Sequence, residues 1–227
     1  MVFSLNNINS GNFFRFKSFR YRIFAALKKE ILHKATQMFL DLGFKSVTMD
    51  DLAKELAISK KTIYSFFENK SHLVECSTLH LCSTINSSID QLATKELHPI
   101  DELFEVRQIV RRFLKNEKSS PQYQLQKYFP ALFKRLKDEQ LMMMRDFLMS
   151  NIRRGIELGV YRDDMNPEMI FRLYFFTYFS LRDPQEFPEK LFNTQELIFQ
   201  HIIYHVRGIA TVKGAEYLET YLINNQE

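Results

Sequence analysis

One stretch of this chain, residues 48–70 (TMDDLAKELAISKKTIYSFFENK), constrains the fold more tightly than any other. Thr48 followed by Asp51 is a capping-box pattern, in which a hydroxyl and a carboxylate satisfy the free amides at a helix start. A short helix is therefore predicted from Met49, with Leu52, Ala53 and Leu56 on its apolar face. Ala57, Ile58 and Ser59 interrupt it, and the Ser59 hydroxyl can cap a second helix. Ile63 and Phe67, four apart, turn that helix inward and leave Lys60, Lys61, Thr62, Tyr64 and Ser65 outside. Two short helices joined by such a turn make a helix-turn-helix. The outward side chains, two ammonium groups, hydroxyls and a phenol, suit a phosphate-lined groove. Asn69 caps the next helix, with Lys70 at its first position.

Helical periodicity accounts for the rest. Ile23, Leu27, Ile31, Ala35, Met38 and Leu42 form a stripe at steps of three and four, and Gly43 supplies a left-handed stop. This helix backs the helix-turn-helix and completes a three-helix unit. A long helix follows to about Leu92, and Leu97-His98-Pro99 breaks it. Further helices are predicted over 100–114, 121–136 (kinked or split by Pro130), 138–158, 168–181, 194–206 and 211–223, with a polar loop at 115–120 and Gly208 as the stop of the 194–206 helix. With six Gly, six Pro and no sustained alternation, a sheet is not expected. The predicted fold class is all-α in two parts. Residues 1–20 form a flexible leader, 21–68 a three-helix helix-turn-helix unit, and 69–227 a larger helical part.

Charge is distributed to match. Residues 15–70 hold 12 Lys and Arg against 6 Asp and Glu, whereas residues 71–227 hold 19 against 21. The basic excess sits with the helix-turn-helix, as a polyanion-binding end requires. Residues 13–22 (FFRFKSFRYR) alternate aromatic and basic groups, a pattern open to four readings: an arm along DNA phosphates, an interfacial membrane anchor, a poorly ordered extension, or an upstream translation start. No run reaches the roughly 18 apolar residues of a membrane span, and the N-terminus lacks the order of a signal peptide. Cys76 and Cys82 share one predicted helix on different faces, so no disulfide joins them. A protein of a reducing, cytoplasmic compartment is expected, with no membrane partner.

VTMDDLAKELAISKKTIYSFFENKSHL, preceded by MFLDLGFKS with its Phe39 and Gly43, resembles the tetracycline-repressor (TetR) family of bacterial transcription regulators. The elements that carry the resemblance are Thr48 at the cap, Ala53 within the first short helix, the Ala57-Ile58-Ser59 turn, Thr62 and Tyr64 in the second, and Phe67 with Lys70 leading into the next. The resemblance covers about 50 residues. Ala57 stands where the family usually has glycine; if the position needs a positive φ, alanine there costs on the order of 1 kcal/mol. The resemblance implies a homodimer that holds a near-palindromic double-stranded operator and releases it, as a repressor, when an unknown small, apolar effector binds. It also implies DNA contacts from Thr48, Ser59, Lys60, Lys61, Thr62, Tyr64 and Lys70.

In the C-terminal part, residues 169–181 (MIFRLYFFTYFSL) are apolar nearly all round and must be covered on several sides. Together with the 194–206 helix they match where the family builds its intersubunit bundle, which makes Phe171, Phe175, Tyr178, Ile198, Ile202 and His205 the expected dimer-interface residues. Tyr123, Tyr128, Phe129, Met143, Phe147 and Tyr174 are candidates for an apolar effector cavity, because methionine and aromatic side chains suit adaptable sites. A rival reading is a helical enzyme, or a metal- or redox-sensing protein using His72, Cys76 and His80, each four apart on one helix. Against an enzyme, His201 and His205 lack the glutamate of HExxH, and no nucleophile elbow, phosphate loop or paired-carboxylate motif occurs. No catalytic residue, cofactor or metal is expected.

Overall fold

The computed structural model describes residues 10–114 and 121–225, with side chains from Arg22 onward. The expected leader at 1–9, the side chains of the 13–21 aromatic-basic run and the 115–120 loop lie outside the described residues. Among the described residues ten helices follow one another: α1 (Ser10–Leu42), α2 (Met49–Glu55), α3 (Lys60–Tyr64), α4 (Lys70–Ala93), α5 (Pro99–Leu114), α6 (Pro121–Tyr128), α7 (Pro130–Glu157), α8 (Pro167–Ser180), α9 (Thr194–Ile209) and α10 (Val212–Asn224). The only β pairing among the described residues is a single bridge between Tyr161 and Ala210.

Proline places four of the helix starts. Pro99, Pro121, Pro130 and Pro167 each open a helix, where a missing N–H is harmless and a fixed φ is already helical. Pro130 therefore separates α6 from α7 instead of kinking one helix, and α7 then runs through 136–138 without a break. Two further boundaries differ from expectation. α1 begins at Ser10, well before Ile23, so the backbone of residues 10–20 is helical and not a leader. Gly208 does not end α9; the helix continues to Ile209, with Ala210 extended at its end. Gly43, by contrast, has φ +83 and stops α1 as the sequence indicates.

Two apolar cores result. The first gathers Ile31, Phe39, Leu52, Ile63, Phe67 and Leu73 from α1 to α4, together with Leu125 of α6 and Leu136 of α7. The second gathers Ile100 and Phe104 of α5, Leu148 and Ile152 of α7, Phe171 and Phe175 of α8, Ile202 and Val206 of α9 and Leu218 of α10. Gly155 admits a close approach in the second: a Cβ there would lie 2.0 Å from the Tyr161 ring. Helices α6 and α7 thus contribute to the core of the helix-turn-helix unit although they follow it by more than fifty residues.

Candidate nucleic-acid interface

Local hydrogen bonds build the helix-turn-helix. Thr48 and Asp51 complete a reciprocal capping box at α2, with Thr48 N–H donating to Asp51 Oδ2 at 2.9 Å and Asp51 N–H to Thr48 Oγ1 at 3.1 Å. Donation from the Thr48 hydroxyl, and then from the Thr48 N–H, to its carboxylate holds Asp51 below its ordinary pKa. Leu56 closes α2, and Ala57 takes φ +52, the left-handed conformation that favours glycine. Ser59 Oγ then accepts from Thr62 N–H at 3.0 Å to start α3, and Asn69 Oδ1 accepts from His72 N–H at 2.9 Å to start α4. Ile63 and Phe67 are fully buried and anchor α3 against α1, α2 and α4. Five residues of helix are marginal alone, so these caps and two apolar anchors set where α3 points.

The seven expected DNA-contact residues divide into three kinds. Lys61 and Tyr64 project from α3, with Tyr64 44% exposed. Thr48, Ser59 and Thr62 are committed to the turns; Thr48 Oγ1 donates to Asp51, and the Ser59 and Thr62 hydroxyls bond each other at 2.8 Å. The two remaining lysines have partners of their own. Lys60 Nζ lies 2.8 Å from Asp50 Oδ2, a hydrogen bond that raises its pKa. Lys70 Nζ donates to the Lys45 carbonyl at 3.1 Å, and burial lowers its pKa. Asp50 and Lys45 had no signal in the motif itself; an aspartate ten positions before Lys60 becomes its neighbour only once the turn is formed.

Behind this surface, a cavity of about 1040 Å³ runs between the two cores. Its walls include Phe39 of α1, Ile85 of α4, Val106 of α5, Leu125 of α6, Phe147 of α7 and Tyr174 of α8. Of the expected effector-site residues, Met143, Phe147 and Tyr174 line this space. Tyr123, Tyr128 and Phe129 do not. The rings of Tyr123 and Tyr128 face the Lys127 ammonium, and Phe129 packs edge-on to Phe44 in the first core at 6.0 Å. Tyr128 and Phe129 sit at the α6–α7 junction, just before Pro130 opens α7, and Tyr123 lies in the first turn of α6.

The expected dimer residues also need correction. Phe171, Phe175, Ile198, Ile202 and His205 are buried within this chain, and Tyr178 is half-buried in the cavity wall. They form the inner seam between α8 and α9, where Tyr174 stacks on His201 with ring centroids 4.7 Å apart and meets His205 edge-on at 4.6 Å. Burial, and then the neighbouring His201, depresses the His205 pKa to about 3. The large apolar side chains left uncovered on these helices are Met169, Leu173 (68% exposed) and Phe176 of α8, and Tyr204 (79% exposed) of α9. A helix apolar all round gives no sequence signal for which of its sides the rest of the chain will cover.

His72, Cys76 and His80 do not assemble as ligands. His72 Nδ1 accepts from Glu68 N–H at 3.3 Å and its ring packs on Phe67, while burial raises the Cys76 pKa, away from a reactive thiolate. Among the described residues no group of three His, Cys, Asp or Glu is placed to hold a metal ion, and both cysteines are free thiols.

Residues 31–75 match the family model of bacterial regulatory proteins, tetR family. The chain is 38% identical over 72 residues to an uncharacterized HTH-type transcriptional regulator, YhgD, of Bacillus subtilis (strain 168), across 32% of this chain and 36% of that protein. It is 29% identical over 79 residues to IcaR, the HTH-type negative transcriptional regulator of the biofilm operon icaADBC in Staphylococcus aureus (strain Newman), across 35% of this chain and 42% of that one. The chain thus spans little more than a third of the length of these curated relatives. Likeness of fold extends further. A transcriptional regulator from Cytophaga hutchinsonii superposes with a TM-score of 0.63 at 16% identity, covering 81% of this chain and 98% of the other. Regulatory protein TetR from Rhodobacter sphaeroides gives 0.63 at 12% identity, covering 80% and 98%. The residues that form the capped helix-turn-helix lie within the stretch that matches the family model of bacterial regulatory proteins, tetR family, and the remaining helices share the fold of the solved regulators.

Proposed function

We propose that this protein is a repressor that binds a near-palindromic operator as a homodimer and releases it when a small molecule enters the cavity between its cores. It is a regulator and not an enzyme; no helix among the described residues is long and apolar enough to cross a membrane, and an operator-binding protein belongs in the cytoplasm. The observation that carries the reading is the presentation of α3. Caps and buried anchors fix the helix, while Lys61 and Tyr64 take no part in fixing it and face outward. On this reading α3 enters the major groove, Lys61 and Tyr64 make the direct contacts, and Lys60, shared with Asp50, and Lys70, shared with Lys45, lie at the phosphate flanks. Thr48, Ser59 and Thr62 set the angle of approach.

The dimer surface is the uncovered side of α8 and α9, with Met169, Leu173, Phe176 and Tyr204 at its centre. A set of exposed apolar side chains on adjacent helices is what a second copy would cover. Release follows from how the cavity is walled. Leu125 of α6 belongs both to the cavity lining and to the first core, and Gln124 Oε1 on the same helix accepts from Phe44 N–H at 2.8 Å, just after α1 ends. An effector that favours one placement of α6 would shift the spacing of the two α3 helices in the dimer and so the population able to bind DNA.

A mobility-shift titration of the DNA upstream of the protein's own gene tests this. Binding should weaken steeply with salt, and Lys61→Ala should lower the slope of log K against log salt by about 0.9 for each phosphate contact removed. Tyr64→Ala should weaken binding while the dimer stays folded. Unchanged binding in both variants refutes the assignment of α3.

A further inference from the structure

The basic excess of residues 15–70 has a narrower address within that range. Residues 15–29 hold Arg15, Lys17, Arg20, Arg22, Lys28 and Lys29 and no acidic residue, whereas residues 30–70 hold six Lys against six Asp and Glu. Without residues 15–29 the 31 basic residues of the chain fall to 25, against 27 acidic ones, and a polyanion would meet a net negative charge. Two lysines of residues 30–70 are also offset within the fold, since Lys34 Nζ lies 2.8 Å from Glu55 Oε2, as Lys60 Nζ does from Asp50 Oδ2. The excess therefore belongs to the part of α1 ahead of Glu30.

That part of α1 stands clear of the core. Arg22 to Ala26 are exposed in succession, over more than one turn, so the core covers no side of the helix there; from Arg22 onward, Ile31 is the first buried residue. The place where α1 emerges is well defined. The Phe24 ring stacks on Phe66 at 4.0 Å, two residues past the end of α3. Lys28 Nζ and the His72 ring of α4 both approach Phe67, at 5.8 and 5.9 Å from its centroid. α1 thus leaves the fold beside the end of α3 and the start of α4, the edge that carries Lys70. From Phe24 back to Ser10 the helix spans about 21 Å at about 1.5 Å per residue, a reach of several phosphates of one DNA strand.

We propose that residues 10–29 of α1 are a second DNA-binding element, an arm laid along the phosphates that flank each half-site. This rests on the reading of α3 as the helix that enters the groove and adds a contact outside that groove. Contacts to phosphate position a protein and raise its affinity without reading sequence, so the arm strengthens binding to the operator and to other duplexes alike. An anionic lipid surface is the rival polyanion, and the register of the helix argues against it. A helix lying in a bilayer interface needs one apolar face. At steps of three and four, Phe13, Phe16 and Arg20 share one face and Phe14, Lys17 and Tyr21 another, so each carries a basic position among the aromatic ones. A row of phosphates makes no demand for such a face.

The test compares the full chain with a variant carrying Arg15→Gln, Lys17→Gln, Arg20→Gln and Arg22→Gln together. Two duplexes from the DNA upstream of the protein's own gene are used, one cut to the footprinted half-sites and one with about ten more base pairs, a helical turn, on each side. The parent should bind the longer duplex about tenfold tighter or more, and the Gln variant should lose that advantage. On the longer duplex the variant should also lower the slope of log K against log salt by at least about 1.8, equal to one phosphate contact in each protomer of a dimer. Its preference for the operator over an unrelated duplex should be unchanged. A second variant, Arg15→Lys with Arg20→Lys and Arg22→Lys, keeps the charge and should bind as the parent does, which separates charge from any effect on folding. An unchanged salt slope in the Gln variant, no gain from the flanking base pairs, or a Lys variant as weak as the Gln variant overturns the arm. Capture of the parent but not the Gln variant by vesicles of equimolar phosphatidylglycerol and phosphatidylethanolamine, with DNA binding alike in both, overturns it in favour of a lipid surface. A parent that binds neither duplex at low salt refutes the reading of α3 itself, whereas a parent and Gln variant that bind equally well refute the arm alone.

Discussion

Helices α3 and α8 are stabilised in opposite ways. Polar groups at both ends hold α3, Ser59 at its start and Ser65, whose hydroxyl donates to the Thr62 carbonyl, at its end, together with two buried side chains, Ile63 and Phe67, and most of its surface is left to solvent. Rings hold α8, with Phe171, Tyr174, Phe175 and Phe179 buried against α7 and α9, yet its outer side also carries Met169, Leu173 and Phe176. In α3, the groups that position the helix and the groups that project from it differ in chemistry. In α8 they are chemically alike and differ only in direction. Exposed residues of α3 are therefore free to vary without disturbing the fold, whereas every residue of α8 looks structural until the fold is known.

Adjacent substitutions on α8 expose that difference most strongly. Phe175→Ala, which empties a site in the second core, should cost about 3–5 kcal/mol. Leu173→Ala, two residues away and 68% exposed, should change the stability of the isolated chain by less than about 0.5 kcal/mol. Urea melts at low nanomolar protein measure both. Equal losses would mean that the two sides of α8 are not distinct.

The next effect concerns the outer side alone. Leu173→Glu with Tyr204→Glu places four carboxylates in the proposed two-fold interface and should convert the dimer to a folded monomer in sedimentation velocity at micromolar concentration. Operator affinity should fall by 100-fold or more, about 3 kcal/mol, because each half-site is then bound separately. A double variant that stays dimeric would place the interface elsewhere.

These contrasts also mark how far the sequence is readable. The caps at Thr48, Ser59 and Asn69, the turn at Ala57 and the stop at Gly43 are local signals, each settled by residues within four positions, and the structure has them where the sequence puts them. Pro130 was legible as an interruption but not as a helix start, because the choice depends on whether Phe129 can leave helical geometry and pack on Phe44. The inner and outer sides of α8 were not legible: periodicity locates a core only where polar residues mark the opposite side, and here Arg172, Thr177 and Ser180 interrupt too little. The cavity escaped for a different reason, since its walls come from α1 and from α4 to α9 and meet only through the packing of helices far apart in the chain.

The α8–α9 seam makes a third, pH-dependent distinction. His205 is buried against Tyr174, next to His201, with its pKa depressed to about 3 from an ordinary 6.5. No acidic side chain is among its described contacts, and burial depresses His201 in the same direction. Because the folded state resists protonation, stability is full above the unfolded pKa and declines as pH falls from about 6.5 toward 3, at up to about 1.4 kcal/mol per unit from His205. Between pH 7 and pH 5 the loss should be about 2 kcal/mol, and His205→Phe should remove most of it in urea melts at the two pH values. The helix-turn-helix unit, whose depressed carboxylates are the exposed Asp51 and Glu55, should show its own acid sensitivity only below their ordinary range near 4. A variant as acid-sensitive as the parent would remove the seam as the origin.

The smallest effect lies in the turn between α2 and α3. Ala57 sits at φ +52, where its Cβ crowds the neighbouring backbone, and its N–H donates to the Lys54 carbonyl at 3.2 Å. Ile58 N–H continues the turn by donating to the Ala53 carbonyl at 3.0 Å, so the left-handed conformation is required by the hydrogen bonds on either side. Ala57→Gly removes the crowding but leaves the unfolded chain freer, two opposing terms each near 1 kcal/mol. The steric term is the larger one at a fixed positive φ, so a net stabilisation of several tenths of a kcal/mol is expected in thermal melts, with operator affinity and its salt dependence unchanged. Stabilisation with weakened operator binding would mean that the strained turn also sets the angle of α3, and the separation between groups that hold α3 and groups that project from it would then fail at this one residue.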